Sequence, residues 1–347
     1  MGKILGDRWE IVKPLSEGGQ ATTFVVRDRE DAGAPEAVLK RLKNTKRIGR
    51  FKQEVEATLK LKHDHILKLI DHNLDAREPY IVSPYCSGGT LEVLVKDGKI
   101  PPLAKCLQLF VEIADAINYA HSEKIVHRDI KPSNIFLGHP AIHFPVVGDF
   151  GLCYFAEGED RHTETEEAVG ARYFMAPELE DGRVEVIDPS VDVYSLGKLL
   201  YWLVSGGGRF SREKTREPRW DLTKIMPHDY LPGFNPAMEH VNRLLDVMIV
   251  HDPHNRGKLP EIILAAKRTL RLVALDFNPV SKDTVQHCTY CGWGSYTPVA
   301  IGSGSEVVNM GLNMVGSSNW RIMVCDKCGH VQFFRPDLAP RSTFWDR

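Results

Sequence analysis

The 347-residue sequence predicts an α+β protein: a β-rich first lobe, a helical second lobe and a small β-rich appendage. Three observations predict it. Up to about residue 84, short apolar runs separated by turn residues read as strands with one helical interlude. From Pro102 onward apolar positions recur with helical spacing. Beyond Phe277-Asn278-Pro279 the composition shifts to glycine, serine and aromatics around two Cys-x-x-Cys-Gly knuckles.

Composition sets the frame. A hydrophobic content of 43% is ample for a core, and a net charge of −2 with pI near 6.7 supplies no global field toward nucleic acid or an anionic membrane. No run is long and apolar enough for a membrane span; Val191 to Val204 comes nearest and is broken by Asp192 and Lys198. The first residues lack a secretory pattern, and Gly6 stands where an acylation signal wants Ser or Thr. Seven cysteines, an odd number, argue for a reducing compartment, with cytoplasm the expected location.

In order, Trp9 to Val12 and Thr23 to Val26 read as two strands around Leu15-Ser16-Glu17-Gly18-Gly19-Gln20-Ala21. Such a small-residue hairpin lets backbone amides approach a phosphate, although a plain β-hairpin would look the same. Ala37-Val38-Leu39-Lys40 is an apolar strand ending in a lysine that could snorkel to solvent or point at an anion. Arg50 to Leu61 has helical spacing of Phe51, Val55 and Leu59, with Glu54 either a solvated charge or a partner for Lys40. Pro79 to Ser83 is a strand that runs into Pro84-Tyr85-Cys86-Ser87-Gly88-Gly89, a turn-rich crossover before a short helix near 90–96. Residues 102–123 form a long helix with one apolar face.

Next comes His127-Arg128-Asp129-Ile130-Lys131-Pro132-Ser133-Asn134, which places a carboxylate, an ammonium and an amide close together. These groups suit proton removal from a hydroxyl, charge neutralisation and metal binding, though a solvated polar loop would carry them too. Asn134 to Leu137 and Phe144 to Val147 read as strands, and Asp149-Phe150-Gly151 offers either a metal-binding carboxylate or a common turn. Pro260 to Asp276 reads as a last helix.

The ordered set of glycine hairpin, Lys40, Glu54, His127-Arg128-Asp129-x-Lys131-x-x-Asn134, Asp149-Phe150-Gly151 and Ala176-Pro177-Glu178 resembles the eukaryotic-type (Hanks-type) serine/threonine protein kinase family. Val191 to Gly197 resembles its buried central helix, and Asp252 to Arg256 the segment whose arginine pairs with Glu178. The resemblance implies a kinase domain over residues 8–272, with an N-lobe of about 8–84 and a C-lobe of about 87–272. It implies that Asp129 orients the substrate hydroxyl and Lys131 neutralises the transferring phosphoryl group, while Asn134 and Asp149 hold Mg²⁺. Lys40, paired with Glu54, would contact the ATP phosphates beneath Ser16, Gly18 and Gly19. Adenine would meet Pro84 through its carbonyl and Cys86 through its backbone, with Ser83 at the back of the pocket. Lys131 fits the Ser/Thr branch, and protein substrates, including this chain, are implied.

Ala171 departs from the family, which has a threonine there whose hydroxyl bridges Asp129 and Lys131. Arg128 suggests control by activation-loop phosphorylation, with Thr163 and Thr165 as candidates. The competing class is a catalytically weak or dead kinase-fold scaffold, supported by Ser16, Ala21 and Ala171.

Cys288, Cys291, Cys325 and Cys328 have the spacing of a tetrahedral zinc site, and the segment 280–340 resembles a zinc ribbon. A redox dithiol is the rival reading for one pair. Four cysteines fill a structural site, so His287 and His330 are left out. From residue 278 on, six basic residues face five acidic ones, so four thiolates on one Zn²⁺ leave the appendage slightly negative. That argues against nucleic acid and for protein docking or stabilisation, with Trp293, Trp320, Phe333 and Phe334 as core.

Overall fold

The structure, a computed structural model, describes residues 4–17, 21–44, 48–138, 144–151, 154–155, 173–179, 187–208, 236–274, 288, 290–291, 296–298, 321–325 and 327–334. Gly18, Gly19, Thr163, Thr165 and Ala171 lie outside them. The chain divides into two compact units, Met1–Asp221 with Leu245–Ile263, and Leu222–Leu244 with Leu264–Arg347.

The first unit begins with a six-stranded antiparallel sheet. Its strands are β1 (Ile4–Leu5), β2 (Trp9–Glu17), β3 (Ala21–Asp28), β4 (Ala37–Leu42), β5 (Asp71–Asn73) and β6 (Tyr80–Pro84), in the order β1-β2-β3-β4-β6-β5. The sequence pattern ends the first hairpin strand at Val12, but β2 continues to Glu17 through Pro14. Register shifts between Ile11 and Lys13 and between Pro14 and Ser16 mark β-bulges, which accommodate a proline that cannot donate to the ladder.

Alternation along the strands divides the lobe into two apolar layers. Leu5, Trp9, Val26, Ala37, Leu39, Tyr80 and Val82 cluster together. Leu42 and Ile81 instead pack against Phe51 and Val55 of helix α1 (Ile48–Lys60). Lys40 shares strand parity with Leu42 and pairs in register with Ile81, so it is directed to the α1 side.

Helices follow: α2 (Leu91–Lys96), α3 (Leu103–Ser122) and α4 (Ser190–Val204). Helix α2 is capped by Thr90, whose hydroxyl accepts the Val93 N–H. Helix α3 buries Leu107, Phe110, Ile113, Ala114 and Ile117. In α4 every residue from Val191 to Val204 is buried, Asp192 and Lys198 included. Such a helix is enclosed on all sides, and its two charges are its functional anomaly. Between α3 and α4, β7 (Ile125–Val126) pairs with β10 (Tyr154–Phe155), and β8 (Ile135–Leu137) pairs with β9 (Pro145–Val147).

Helix α5 runs Pro236–Met248 and α6 runs Leu259–Ala274. The second unit takes α5 up to Leu244, α6 from Leu264, and the cysteine-bearing segment. There, β11 (Tyr296–Pro298), β12 (Arg321–Cys325) and β13 (Val331–Phe334) make a three-stranded antiparallel sheet. No helix among the described residues is long and apolar enough to cross a membrane.

Candidate active site and cysteine cluster

Lys40 and Glu54 are joined as the sequence predicts. The Lys40 Nζ donates to both Glu54 oxygens at 2.9 Å and to Asp149 Oδ1 at 3.1 Å. Glu54 lies one turn from Phe51 on the buried face of α1, which is why a glutamate there points inward. Burial pushes the lysine pKa down, but the charges of Asp149 and Glu54 outweigh it and hold the ammonium above its ordinary value. Burial leaves Glu54 above the usual carboxylate range despite Lys40, whereas Asp149 is pulled below it by Lys40.

The stretch His127 to Asn134 folds as a loop closed by the short 3-10 turn Pro132–Asn134. It brings together Asp129, Lys131 and Asn134. Asp129 Oδ2 accepts from Lys131 Nζ at 2.7 Å and from Asn134 Nδ2 at 2.9 Å, and the same amide donates to the Asp129 carbonyl at 2.8 Å. Burial raises the Asp129 pKa above the carboxylate range, with Lys131 opposing the shift.

Asp192, one of the residues the sequence groups with the phosphoryl-transfer site, anchors this loop from α4. Its Oδ2 accepts the His127 N–H and a bond from His121 Nε2, both at 2.8 Å, and its Oδ1 accepts the Arg128 N–H at 2.8 Å. Arg128 itself has φ +69°, a left-handed conformation disfavoured for a side-chain-bearing residue, and the carboxylate holds its backbone in place. The signal was available: an aspartate inside an otherwise apolar helix needs buried donors. His127 adds a second tie. Its Nδ1 accepts the Asp129 N–H at 3.2 Å, its Nε2 lies 3.2 Å from the Gly148 carbonyl, and its ring packs 4.5 Å from that of the buried Phe150. Phe150 turned into the interior leaves Asp149 beside Lys40.

The Glu178 and Arg256 pairing expected from the sequence is bidentate, at 2.5 Å and 2.8 Å. The Arg256 side chain is fully buried and also donates to the carbonyls of Val250, Ser190 and His251. A desolvated guanidinium therefore has its donors occupied, the condition under which a buried pair is tolerated.

At the nucleotide hairpin, Ser16 and Thr23 face each other across β2 and β3 with their hydroxyl oxygens 2.6 Å apart. Gly18 and Gly19, the other expected phosphate contacts, fall outside the described residues. Pro84 ends β6 opposite Ala37, and Ser83 lies opposite Val38, both partners belonging to the strand that carries Lys40. Cys86 follows, half-buried, with its thiol pKa pushed up by burial.

The four cysteines converge. All four sulfurs lie within 4.8 Å of one another, with Cys288 to Cys328 at 3.7 Å and Cys291 to Cys325 at 3.5 Å. Zn–S bonds of about 2.3 Å in a tetrahedron separate sulfurs by about 3.8 Å, so the donor set fits zinc. Backbone N–H groups face the sulfurs: Cys291 donates to Cys288, and Lys327 and Cys328 donate to Cys325. Burial disfavours the Cys325 thiolate, but the N–H groups of Cys328 and Lys327 bring its pKa down to about 7; burial dominates at Cys328 and pushes it up to about 12. Gly329, at φ +70°, closes the second knuckle, a conformation that favours glycine.

A lysine paired with a helical glutamate beside Asp149, a part-buried carboxylate held by Lys131 and Asn134, and an Asp192 clamp beneath them define a two-lobed protein kinase architecture. The chain belongs to the protein kinase domain family, whose model matches residues 9–265. It is similar to a probable serine/threonine-protein kinase of Clostridium perfringens, 30% identical over 76% of this chain and 38% of that protein. It is 33% identical to the serine/threonine-protein kinase PkaA of Streptomyces coelicolor over 58% of this chain and 39% of that one. It is 27% identical to Aurora/IPL1-related protein kinase 2 of Caenorhabditis briggsae over 75% of this chain and 83% of that one. The chain thus spans about two fifths of the length of these two bacterial relatives.

Proposed function

We propose that the protein transfers the γ-phosphate of ATP to serine or threonine hydroxyls of protein substrates, its own among them. The observation that carries this reading is that the Lys40–Glu54 pair and the Asp129 clamp are formed together. Phosphoryl transfer needs positioning and charge stabilisation rather than a covalent nucleophile. Asp129 would accept the hydroxyl hydrogen, a role its raised pKa favours. Lys131 would turn from Asp129 toward the phosphoryl oxygens, and Lys40 would hold the other phosphates with Glu54 keeping it in place. Pro84 and Cys86 would meet the adenine.

Asn134 and Asp149 fit Mg²⁺. Asp149 is held anionic, and the Asn134 nitrogen is occupied by Asp129, which leaves its oxygen as a hard ligand. When bound, the metal supplies charge neutralisation at the phosphates. The alternative of a scaffold without transfer activity is less well supported, because Lys40, Glu54, Asp129, Lys131, Asn134 and Asp149 are all present and paired.

We infer that Cys288, Cys291, Cys325 and Cys328 hold a structural zinc in a ribbon of residues 280–340, following a kinase domain of residues 8–272. The ribbon's small net charge favours a protein partner over nucleic acid. Cysteines kept as thiolates for metal fit a cytoplasmic setting.

The test is incubation of purified protein with radiolabelled ATP and Mg²⁺ beside Asp129→Asn. Labelling of itself or a generic protein acceptor by the wild type alone is expected. Equal labelling of the variant would overturn the role of Asp129, and none in either would favour the scaffold. Metal analysis should find about one zinc per chain.

A further inference from the structure

Within the second unit, residues 236–244 of α5 and both cysteine knuckles meet at one aromatic ring. Tyr290 lies between Cys288 and Cys291, so its backbone is part of the first knuckle. The Arg243 guanidinium carbon, on α5, is 3.7 Å from the centroid of the Tyr290 ring. The His330 ring meets Tyr290 edge-on, with centroids 4.6 Å apart and planes at 83°. His330 belongs to the second knuckle, where its carbonyl accepts the Cys325 N–H at 2.9 Å. Both α5 and Arg243 fall inside the region that matches the kinase family.

We propose that the Arg243–Tyr290–His330 stack couples metal loading of the four-cysteine site to order in α5, making zinc occupancy felt within the kinase domain. The proposal rests on the zinc reading of the cluster. Thiolates drawn onto one ion fix the backbone on either side of Tyr290, and Cys328 together with the Cys325–His330 hydrogen bond fixes it beside His330, and hence where the two rings stand. A ring so fixed offers Arg243 a cation–π face, and a freed ring does not. Tyr290 remains 48% exposed, so the contact is of the exposed kind, worth about two- to fivefold in an equilibrium constant. Coupling of this sort is reciprocal: the factor by which zinc favours ordered α5 is the factor by which ordered α5 favours zinc.

The experiment uses the full chain, loaded with zinc and then titrated with a chromogenic chelator, alongside hydrogen exchange of the α5 amides with and without metal. Arg243→Ala and Tyr290→Leu should each release zinc at about two- to fivefold lower chelator activity. The pair combined should be no worse than the stronger single change, since both remove one contact. Tyr290→Phe, which keeps the ring, should match the wild type, and circular dichroism of the loaded variants should be unchanged. Stripping zinc should speed exchange in α5 of the wild type, while in Arg243→Ala the α5 amides should no longer sense the metal. If about one zinc binds but Arg243→Ala leaves both chelator competition and the α5 response to metal intact, the coupling is wrong and the zinc reading stands. If the wild type binds no zinc, the zinc reading itself fails.

Discussion

Replacing Asp192 with alanine tests the link between a buried charge and the position of Asp129. The carboxylate is fully buried and accepts three bonds at 2.8 Å, from the His127 and Arg128 amides and from His121. Alanine removes the acceptor and leaves two buried N–H groups without it. Each unsatisfied donor costs about 1–3 kcal/mol. A loss of about 3–5 kcal/mol is therefore expected, a large share of a domain's total stability. The consequence reaches the chemistry because Arg128, at φ +69°, adjoins Asp129. Without the grip its backbone can relax, and a shift of about 1 Å at the Asp129 carboxylate costs about 100-fold in rate. Urea unfolding and steady-state phosphorylation measure the two effects, with Asp192→Asn as a milder variant that keeps one oxygen. Burial raises the Asp192 pKa, but the bond from His121 and the other donors hold it below the ordinary value. Its charge therefore contributes stability in full above about pH 4, and that contribution is lost as pH falls through the lower folded value. The gap between wild type and Asp192→Ala should narrow on acidification. An alanine variant within about 1 kcal/mol of wild type at neutral pH, with unchanged turnover, would refute the reasoning.

Lys40→Met removes the cation between Glu54 and Asp149; ATP-dependent phosphorylation should fall by about 100-fold, read from initial rates, while the fold survives as judged by circular dichroism. The Asp129 pKa is raised, so if its anion accepts the hydroxyl hydrogen as proposed, kcat/KM should begin to fall on acidification above the ordinary carboxylate value of about 4; a profile flat down to that value would count against the assignment. Ser83→Met should weaken inhibition by bulky purine analogues about tenfold or more, measured as inhibition constants, since the small serine leaves room that a larger side chain fills.

Much of the site is legible in the sequence because its parts obey short-range periodicity. Lys40 follows from strand alternation beside Leu39, and Glu54 from its spacing to Phe51 and Val55. Helix boundaries shift by a residue, as at the end of α1 and the start of α6, because terminal residues are decided by capping rather than by the apolar stripe. The continuation of β2 beyond Val12 is not legible because Pro14 cannot donate to a ladder, and the register shifts that let the strand pass through it are a tertiary feature. Asp192 was visible as an acidic residue in an apolar run, but its donors are backbone amides more than 60 positions away, and amides leave no mark in a sequence. Arg243 beneath Tyr290 is hidden for a related reason: neither helical period nor cysteine spacing says which helix a knuckle will meet.

The alignment of Asp129 illustrates how one substitution need not decide a site. The family resemblance places a bridging hydroxyl at position 171, where this chain has alanine and so lacks one restraint on the register of Asp129 and Lys131. Yet the carboxylate is already held from its own loop: Oδ2 takes Lys131 and Asn134, the carbonyl takes Asn134 again, and the amide donates to His127. His127 and Arg128 are fixed in turn by Asp192. A bridging hydroxyl would add one bond to a group that several others orient, so its loss is a small fraction of the total restraint. Among the described residues the side-chain bonds to this carboxylate converge on Oδ2, and on the proposed reading Oδ1 is the atom a substrate hydroxyl would meet. Phosphorylation rates are therefore expected to fall further in Asp192→Ala than they change in Ala171→Thr, because Asp192 holds the backbone of His127 and Arg128.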